Sequence, residues 1–184
     1  MKREKVIEKL EKHLAANLYV RLTRKKEGFE GITTGFILDK SSDFILLQET
    51  DEFRILGYQI IPIKTIKHVR YNKNDKTYER ILKEEGLKKI ITSKHKVDLT
   101  SWNTIANDIK ATELTIISEC EHPKLNYFCI GQLKRVNKKS ISIRYFNANG
   151  ILDKKNTTHN FEDITKLSFD DHYANVFSKY IIEK

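Results

Sequence analysis

The chain has 184 residues and a formal net charge of +9, and basic residues outnumber acidic ones in both of its halves. Hydrophobic residues make up 39% and charged residues 32%, a composition typical of a folded chain with a heavily solvated surface. No apolar run approaches the roughly 18–20 residues of a membrane helix, and the charged N-terminus lacks the apolar segment of a secretory signal, so we expect a cytoplasmic protein. The positive charge favours a polyanionic partner, but lysine-rich surface solvation explains it equally well.

The N-terminal half predicts a helix followed by five short strands. Residues 3–16 place Val6, Leu10 and Leu14 on one face, which is typical of an amphipathic helix. Apolar alternation, glycines and Pro62 then predict a strand at 18–24, a turn at 25–31, a bent hairpin at 35–48, and strands at 54–61 and 65–71. A loop at 72–76 and a helix at 77–85 complete this half, with Gly86 as the helix C-cap.

The C-terminal half shows the same succession of elements. Ser101 is the expected N-cap of a helix at 101–109, whose inward face carries Trp102, Ile105, Ala106 and Ile109. Strands are predicted at 114–118, 128–136, 140–146, 156–161 and 164–169, and a final helix at 172–182.

Apolar positions of the two halves correspond at nearly constant spacing, which is the mark of an internal repeat. Six pairs are 96 residues apart: Leu18 and Leu114, Val20 and Ile116, Gly35 and Gly131, Ile37 and Leu133, Ile45 and Ile141, Leu47 and Ile143. Three later pairs are 98 apart: Ile63 and Phe161, Ile66 and Ile164, Tyr71 and Phe169. The sequence therefore predicts two homologous domains, 1–92 and 93–184, with an insertion in the loop after the second hairpin.

Two segments of the first half resemble the Sm-like family of small β-barrels, which includes Hfq and the LSm proteins. They are GFILDKSSDFILLQE, which starts at Gly35, and YQIIPIKTIKHV, which starts at Tyr58 and is similar to the last two strands of that family. The resemblance implies a mainly β fold with flanking helices, made of two tandem five-stranded Sm-like (SH3-like) barrels, each preceded by a helix. It also implies RNA binding by loops of a multimeric ring.

The chain departs from that family where the family contacts RNA. The loop after the second strand aligns with Ser41, Ser42 and Asp43 in the first repeat, and with Asn137, Lys138 and Lys139 in the second. The basic–histidine pair of the family aligns with Ile60 and Ile61, and in the second repeat with Thr158 and His159. Only the second repeat therefore keeps a histidine at this place.

Basic residues at two strand ends are the candidates for binding RNA or single-stranded nucleic acid, because clustered cations can neutralise phosphates. These candidates are Arg24, Lys25, Lys26, Lys134, Arg135, Lys138, Lys139 and His159. The aromatic residues expected to stack on bases nearby are Tyr127, Phe128, Tyr145 and Phe146. The alternative for both basic clusters is ordinary solvated turn lysines.

A protein-interaction or scaffold role is the alternative function. The first hairpin is apolar on both faces, so one face must be covered by a helix, the second domain, a partner protein or a second copy of the chain. The candidate interface residues are Phe36, Leu38, Phe44 and Leu46.

Catalysis and cofactors are not expected. No nucleophile–histidine arrangement, phosphate-binding glycine motif or catalytic carboxylate pair is recognisable. Cys120, His122 and Cys129 have metal-ligand chemistry, but their spacing offers no fourth ligand, so reduced thiols are predicted in place of a metal site.

Overall fold

The computed structural model describes residues 2–26 and 28–183 of the chain, with Lys26 described in its backbone only. The chain divides into two compact units, Met1–His95 (unit 1) and Lys96–Lys184 (unit 2), close to the predicted boundary after residue 92. Both units consist mainly of antiparallel β-strands with flanking helices, which confirms the predicted fold class at that level. Within the described residues, no helix combines the length and the apolar character needed to cross a membrane.

Unit 1 contains a helix, five strands and a second helix. In chain order these are α1 (Arg3–Ala15), β1 (Tyr19–Lys26), β2 (Phe29–Lys40), β3 (Phe44–Asp51), β4 (Arg54–Pro62), a 3₁₀ helix (Ile63–Thr65), β5 (Ile66–Arg70), α2 (Lys73–Glu84) and a 3₁₀ helix (Leu87–Ile90). Hydrogen bonds order the strands β5-β1-β2-β3-β4. The apolar face of α1 is buried against the sheet, because Val6 and Leu10 share a core with Val20, Leu47 and Ile61.

Unit 2 contains the same succession with shorter outer strands. Its elements are α3 (Trp102–Ala111), β6 (Thr115–Cys120), β7 (Tyr127–Val136), β8 (Ser140–Tyr145), β9 (Thr157–Asn160), β10 (Lys166–Phe169), α4 (His172–Phe177) and a 3₁₀ helix (Ser178–Tyr180). The strand order is β10-β6-β7-β8-β9, which matches unit 1 strand for strand. Helix α4 closes a small core in which Ala174 packs with Ile117, Ile130 and Phe146.

Corresponding strands of the two units pair in the same register. The pairs at the centre of each hairpin are Ile37–Leu47 then Asp39–Leu46 in unit 1, and Leu133–Ile143 then Arg135–Ser142 in unit 2. Each hairpin therefore contains a β-bulge at the same place, with Leu38 or Lys134 as the extra residue. The first and last strands pair Leu22 with Val69 in unit 1 and Ser118 with Leu167 in unit 2, so the offsets of 96 and 98 also relate the strand pairs of the two units.

A glycine lies at the closest approach of the two strands in each hairpin. A Cβ added to Gly35 would lie 2.1 Å from the carbonyl oxygen of Gln48, and one added to Gly131 would lie 2.1 Å from that of Arg144. No side chain fits at these distances, because the neighbouring atom belongs to the backbone and cannot rotate away.

Three predicted element boundaries are wrong by four residues or more. Helix α2 begins at Lys73 inside the predicted loop at 72–76, because Asn72 and Asp75 form a capping box. The turn predicted at 25–31 is shorter, since Lys26 already pairs with Phe29. The final helix ends at Phe177, before the predicted residue 182.

Asp75 also anchors α2 to the sheet. Its carboxylate accepts two hydrogen bonds from Arg70, at 2.9 and 2.7 Å, and one from the backbone N–H of Asn72. Burial raises the pKa of Asp75, but these donors outweigh it and hold that pKa below its usual value.

Candidate functional site

The first predicted basic cluster does not form a cationic surface. Arg24 is only 1% exposed; its Nε donates to Thr33 Oγ1 at 2.9 Å, and its guanidinium lies over the ring of Phe29. The alternation of β1 explains the inward direction of this side chain, because Arg24 lies on the same face of the strand as the buried Val20 and Leu22. Lys25 is exposed and forms an ion pair with Glu30, its cross-strand partner. The side chain of Lys26 lies outside the described residues.

The second basic cluster is exposed, and the structure places its members in two groups. Lys138 and Lys139 lie in the turn between β7 and β8, where they line a cavity. Lys134 is the bulge residue of β7, and its Nζ donates to Gln132 Oε1 at 2.6 Å. Arg135 is exposed on the same strand. No ion pair joins Lys138 or Lys139 to another described residue.

The cavity beside Lys138 and Lys139 has a volume of about 560 Å³. It lies where the beginning of α3 meets the β7–β8 turn and the segment after β9. Its lining residues are Ser101, Trp102, Asn103, Lys138, Lys139, Asn160, Phe161 and Glu162. We call it the aromatic cavity because it contains the only tryptophan of the chain.

Backbone and capping contacts fix the three segments that line the aromatic cavity. Ser101 caps α3 by accepting a hydrogen bond from the backbone N–H of Thr104, which holds the first turn in place. Asn103 Nδ2 donates to the backbone oxygen of Asn137 at 2.9 Å, and this contact joins α3 to the turn. The N–H of Phe161 donates to the backbone oxygen of Lys139 at 2.9 Å, and joins the third segment to the same turn.

The rings of Trp102 and Phe161 are nearly parallel in the aromatic cavity. Their centroids are 6.1 Å apart with an interplanar angle of 9°, and Phe161 is 9% exposed while Trp102 is half-buried. Planar π faces stack on nucleobases regardless of base identity, and adjacent lysines neutralise phosphates. The cavity therefore combines a stacking surface with two positive charges.

The aromatic residues predicted to stack on bases lie elsewhere. Phe146 is buried in the core under α4, and Tyr127 is half-buried against His159. Phe128 is exposed but contacts Tyr173. The prediction missed Trp102 and Phe161 because Trp102 falls on the inward face of a helix and Phe161 follows a strand, so neither position indicated a binding site. Of the sequence signals, only the repeat, which aligns Phe161 with Ile63, linked Phe161 to the first helix.

His159 is a predicted binding residue that the structure buries. It is 8% exposed, its ring centroid lies 3.9 Å from that of Tyr127, and its Nε2 has no hydrogen-bond partner among the described residues. The alternation of β9 explains this, because His159 pairs with Ile141 and faces inward while Thr158 and Asn160 are exposed. His159 therefore packs against Tyr127 on the inward side of the strand that leads into the aromatic cavity.

Burial of His159 predicts a loss of stability in mild acid. Burial lowers its pKa below the usual value near 6.5, and Asp163 opposes this only in part. Because the pKa of His159 is lower in the folded state than in the unfolded state, the free energy of unfolding has its full value above about pH 6.5. It falls as the pH decreases below that value, by up to about 1.4 kcal/mol per pH unit. We expect His159→Phe to reduce the drop in unfolding free energy between pH 7.5 and 5.5, as measured by urea denaturation.

The exposed His172 provides the control for this measurement. His172→Gln should retain the wild-type dependence on pH, because it removes an exposed histidine and leaves the buried His159 in place. An unchanged pH dependence in His159→Phe would show that His159 titrates normally in the folded chain. His13, whose pKa burial also lowers, accounts for a remaining part of the acid sensitivity.

Among the described residues of unit 1, the positions that correspond to the lining of the aromatic cavity are filled differently. By the repeat offsets, Val6 corresponds to Trp102 and Ile63 to Phe161, and both unit 1 residues are buried in its main core. The turn that corresponds to Lys138 and Lys139 carries Ser42 and Asp43. It is closed by Ser41 Oγ, which accepts hydrogen bonds from the N–H groups of Asp43 and Phe44.

The predicted interface face of unit 1 is covered. Phe36 packs with Tyr19, Leu82 and Ile91, and Leu38 is half-buried against the same cluster. Phe44 and Leu46 are 7% and 2% exposed. For Phe36 and Leu38 the cover comes from α2 and the segment after it, so these two residues do not form an open apolar surface.

Metal-binding and thiol chemistry find no support in the described residues. No group of three or more histidine, cysteine, aspartate or glutamate side chains among them could hold a metal ion. Cys120 and Cys129 are free and buried, opposite Tyr127 and Ser118 respectively. Burial raises the pKa of the Cys129 thiol to about 12, which keeps it protonated and unreactive at neutral pH.

Three comparisons with known proteins were made, against protein-family models, curated proteins and solved structures, and none of them found a match.

Proposed function

We propose that the chain is a non-enzymatic module of two Sm-like small barrels that binds RNA or other single-stranded nucleic acid through the aromatic cavity of unit 2. One observation carries the proposal: Trp102 and Phe161 lie parallel in the cavity that Lys138 and Lys139 also line. Single strands expose both base faces and phosphates, and this combination of side chains matches both chemistries. Double-stranded ligands are disfavoured because their bases are already stacked.

The Sm-like part of the proposal is supported by features that the two units share. Each has a helix before five antiparallel strands, the same strand order, and a β-bulge at the same place in the second strand. In unit 1 a single 3₁₀ turn separates the last two strands. The sequence resemblance to Sm-like proteins rests on the hairpin of β2 and β3 in unit 1 and on this turn.

The interaction role of the unit 1 hairpin is the weaker candidate. It required an open apolar face, whereas Phe36 and Leu38 are covered by α2 and the segment that follows. Unit 1 is instead proposed to be the structural half of the module.

Salt-dependent binding tests the proposed function. We expect a labelled single-stranded RNA of twelve nucleotides to bind at low salt, and its affinity to fall as salt rises, as measured by fluorescence anisotropy. Each phosphate contact contributes about 0.7 to the slope of log affinity against log salt, so Lys138→Gln with Lys139→Gln should reduce that slope by about 1.4.

The matched control removes two other exposed lysines of unit 2, in Lys154→Gln with Lys155→Gln. This variant loses the same charge and should keep the wild-type slope. The proposal fails if the wild-type protein does not bind at low salt, or if the two double variants have equal slopes.

A further inference from the structure

A cationic groove adjoins β7 on the face that carries Lys134. It consists of two cavities, of about 250 and 410 Å³, that share Gln132 and Lys134 in their linings. The first also contacts Lys110 and Glu113 at the end of α3, and the second contacts Arg144 of β8 and Glu183. Because the two cavities share residues, we treat them as one continuous surface and call it the β7 groove.

The β7 groove is positively charged at its centre. Lys110, Lys134 and Arg144 line it against two carboxylates, Glu113 and Glu183. Neither Lys110 nor Arg144 forms an ion pair with another described residue. An anionic ligand would therefore meet cations whose charge is not already neutralised within the chain.

The groove is open because unit 2 lacks the cover that unit 1 has. The bulge residue corresponding to Lys134 is Leu38, which packs against the cluster that α2 closes in unit 1. The helix after the last strand has 12 residues in unit 1 but only six in unit 2, where it packs over Ile117, Ile130 and Phe146 instead. The bulge residue is therefore a leucine where a helix covers it in unit 1, and a lysine where that cover is missing in unit 2.

Helix α3 connects the β7 groove to the aromatic cavity. At its start, Asn103 contacts the backbone of Asn137 beside Lys138; at its end, Lys110 lies across the groove from Lys134. The helix therefore runs antiparallel to β7, and its 10 residues span about 15 Å. A dinucleotide is too short to bridge this distance, whereas a single strand of eight nucleotides exceeds it.

We propose that a single strand bound in the aromatic cavity continues along α3 and β7, and places its phosphates against Lys110, Lys134 and Arg144 in the β7 groove. This inference rests on the proposed function and adds to it the path that the bound strand follows from the aromatic cavity to the β7 groove. A ligand of two nucleotides occupies the aromatic cavity alone, whereas one of eight nucleotides reaches the groove.

Ligand length separates the two sites in an experiment. Oligouridylates of two and eight nucleotides, which form no base-paired structure, are titrated against the wild-type chain and the variant Lys110→Gln, Lys134→Gln, Arg144→Gln. We expect the variant to bind the eight-nucleotide ligand about tenfold more weakly, with a salt slope reduced by about 2, and the dinucleotide as wild type does.

The matched control is Lys154→Gln, Lys155→Gln, Lys179→Gln, which removes three exposed lysines of unit 2 outside the groove. Arg144 is half-buried, so the double variant Lys110→Gln, Lys134→Gln repeats the test with exposed residues alone. If the groove variants match the control on the longer ligand, the groove inference is overturned while cavity binding stands. If wild type binds neither ligand, the proposed function fails and the groove inference with it.

Discussion

Gly131→Ala should lower the free energy of unfolding by about 3 kcal/mol or more, at the upper end of the cost of overpacking a well-packed site. The added Cβ would lie 2.1 Å from the carbonyl oxygen of Arg144, so β7 and β8 would have to separate next to the pair of Gly131 and Tyr145. Gly35→Ala should cost a similar amount, because its Cβ would meet the carbonyl oxygen of Gln48 at the same distance. Urea denaturation followed by circular dichroism measures both.

Gly86 offers the matched control for these substitutions. Its φ is +72°, but a Cβ added there would have no neighbour within 4 Å. Gly86→Ala should therefore cost only about 1 kcal/mol, the price of a left-handed backbone conformation for a residue with a side chain. A Gly131→Ala variant as stable as Gly86→Ala would contradict the close approach of the two strands.

Trp102→Ala should weaken binding of single-stranded RNA by about ten- to a hundredfold. Stacking of one base on an aromatic side chain contributes about 1–3 kcal/mol, and Trp102 offers the larger of the two rings in the aromatic cavity. Trp102→Phe should retain most of the affinity, because a planar ring remains, and Phe161→Leu should show an intermediate loss. Fluorescence anisotropy at fixed low salt measures all three.

Tyr180 serves as the control for a general aromatic effect. It is 70% exposed in unit 2 and lies outside the lining of the aromatic cavity, so Tyr180→Ala should bind RNA as wild type does. Equal losses in Tyr180→Ala and Trp102→Ala would mean that RNA contacts exposed rings without regard to the cavity. Thermal melts of each variant establish that the fold is retained.

The order of the elements could be predicted because each rests on local signals. The helix face of Val6 and Leu10, the N-cap Ser101 and the hairpin glycines all depend on neighbouring residues. The start of α2 could not be predicted in this way, because its polar residues are typical of a loop. The helix begins there because Asn72 and Asp75 cap it and Arg70 binds the carboxylate of Asp75.

The candidate site was less accessible from the sequence. Lys138 and Lys139 were predicted from their position in a turn, but Trp102 and Phe161 meet only after the strands between them have folded. Arg24 lies on the buried face of β1 with Val20 and Leu22, a direction that the alternation of the strand indicates but the charge of the residue does not. The direction of His159 depends on the register of a four-residue strand, which is a tertiary property.

The two units differ at the turn between their second and third strands. Where unit 1 buries Val6 and Ile63 and closes its turn with serine, unit 2 has two aromatic rings and two lysines. The bulge residues of the two hairpins also differ in polarity and exposure: Leu38 of unit 1 is half-buried, and Lys134 of unit 2 is exposed. Binding is therefore expected of unit 2.

Fluorescence of Trp102 tests the central claim most directly, because it is the single tryptophan of the chain and lies in the proposed site. Excitation at the red edge of tryptophan absorption, during titration with single-stranded RNA, should give saturable quenching with the midpoint found by anisotropy. Stacked nucleobases quench an indole ring, whereas phosphate contacts at a distant surface do not. RNA binding that leaves the Trp102 emission unchanged would contradict the account.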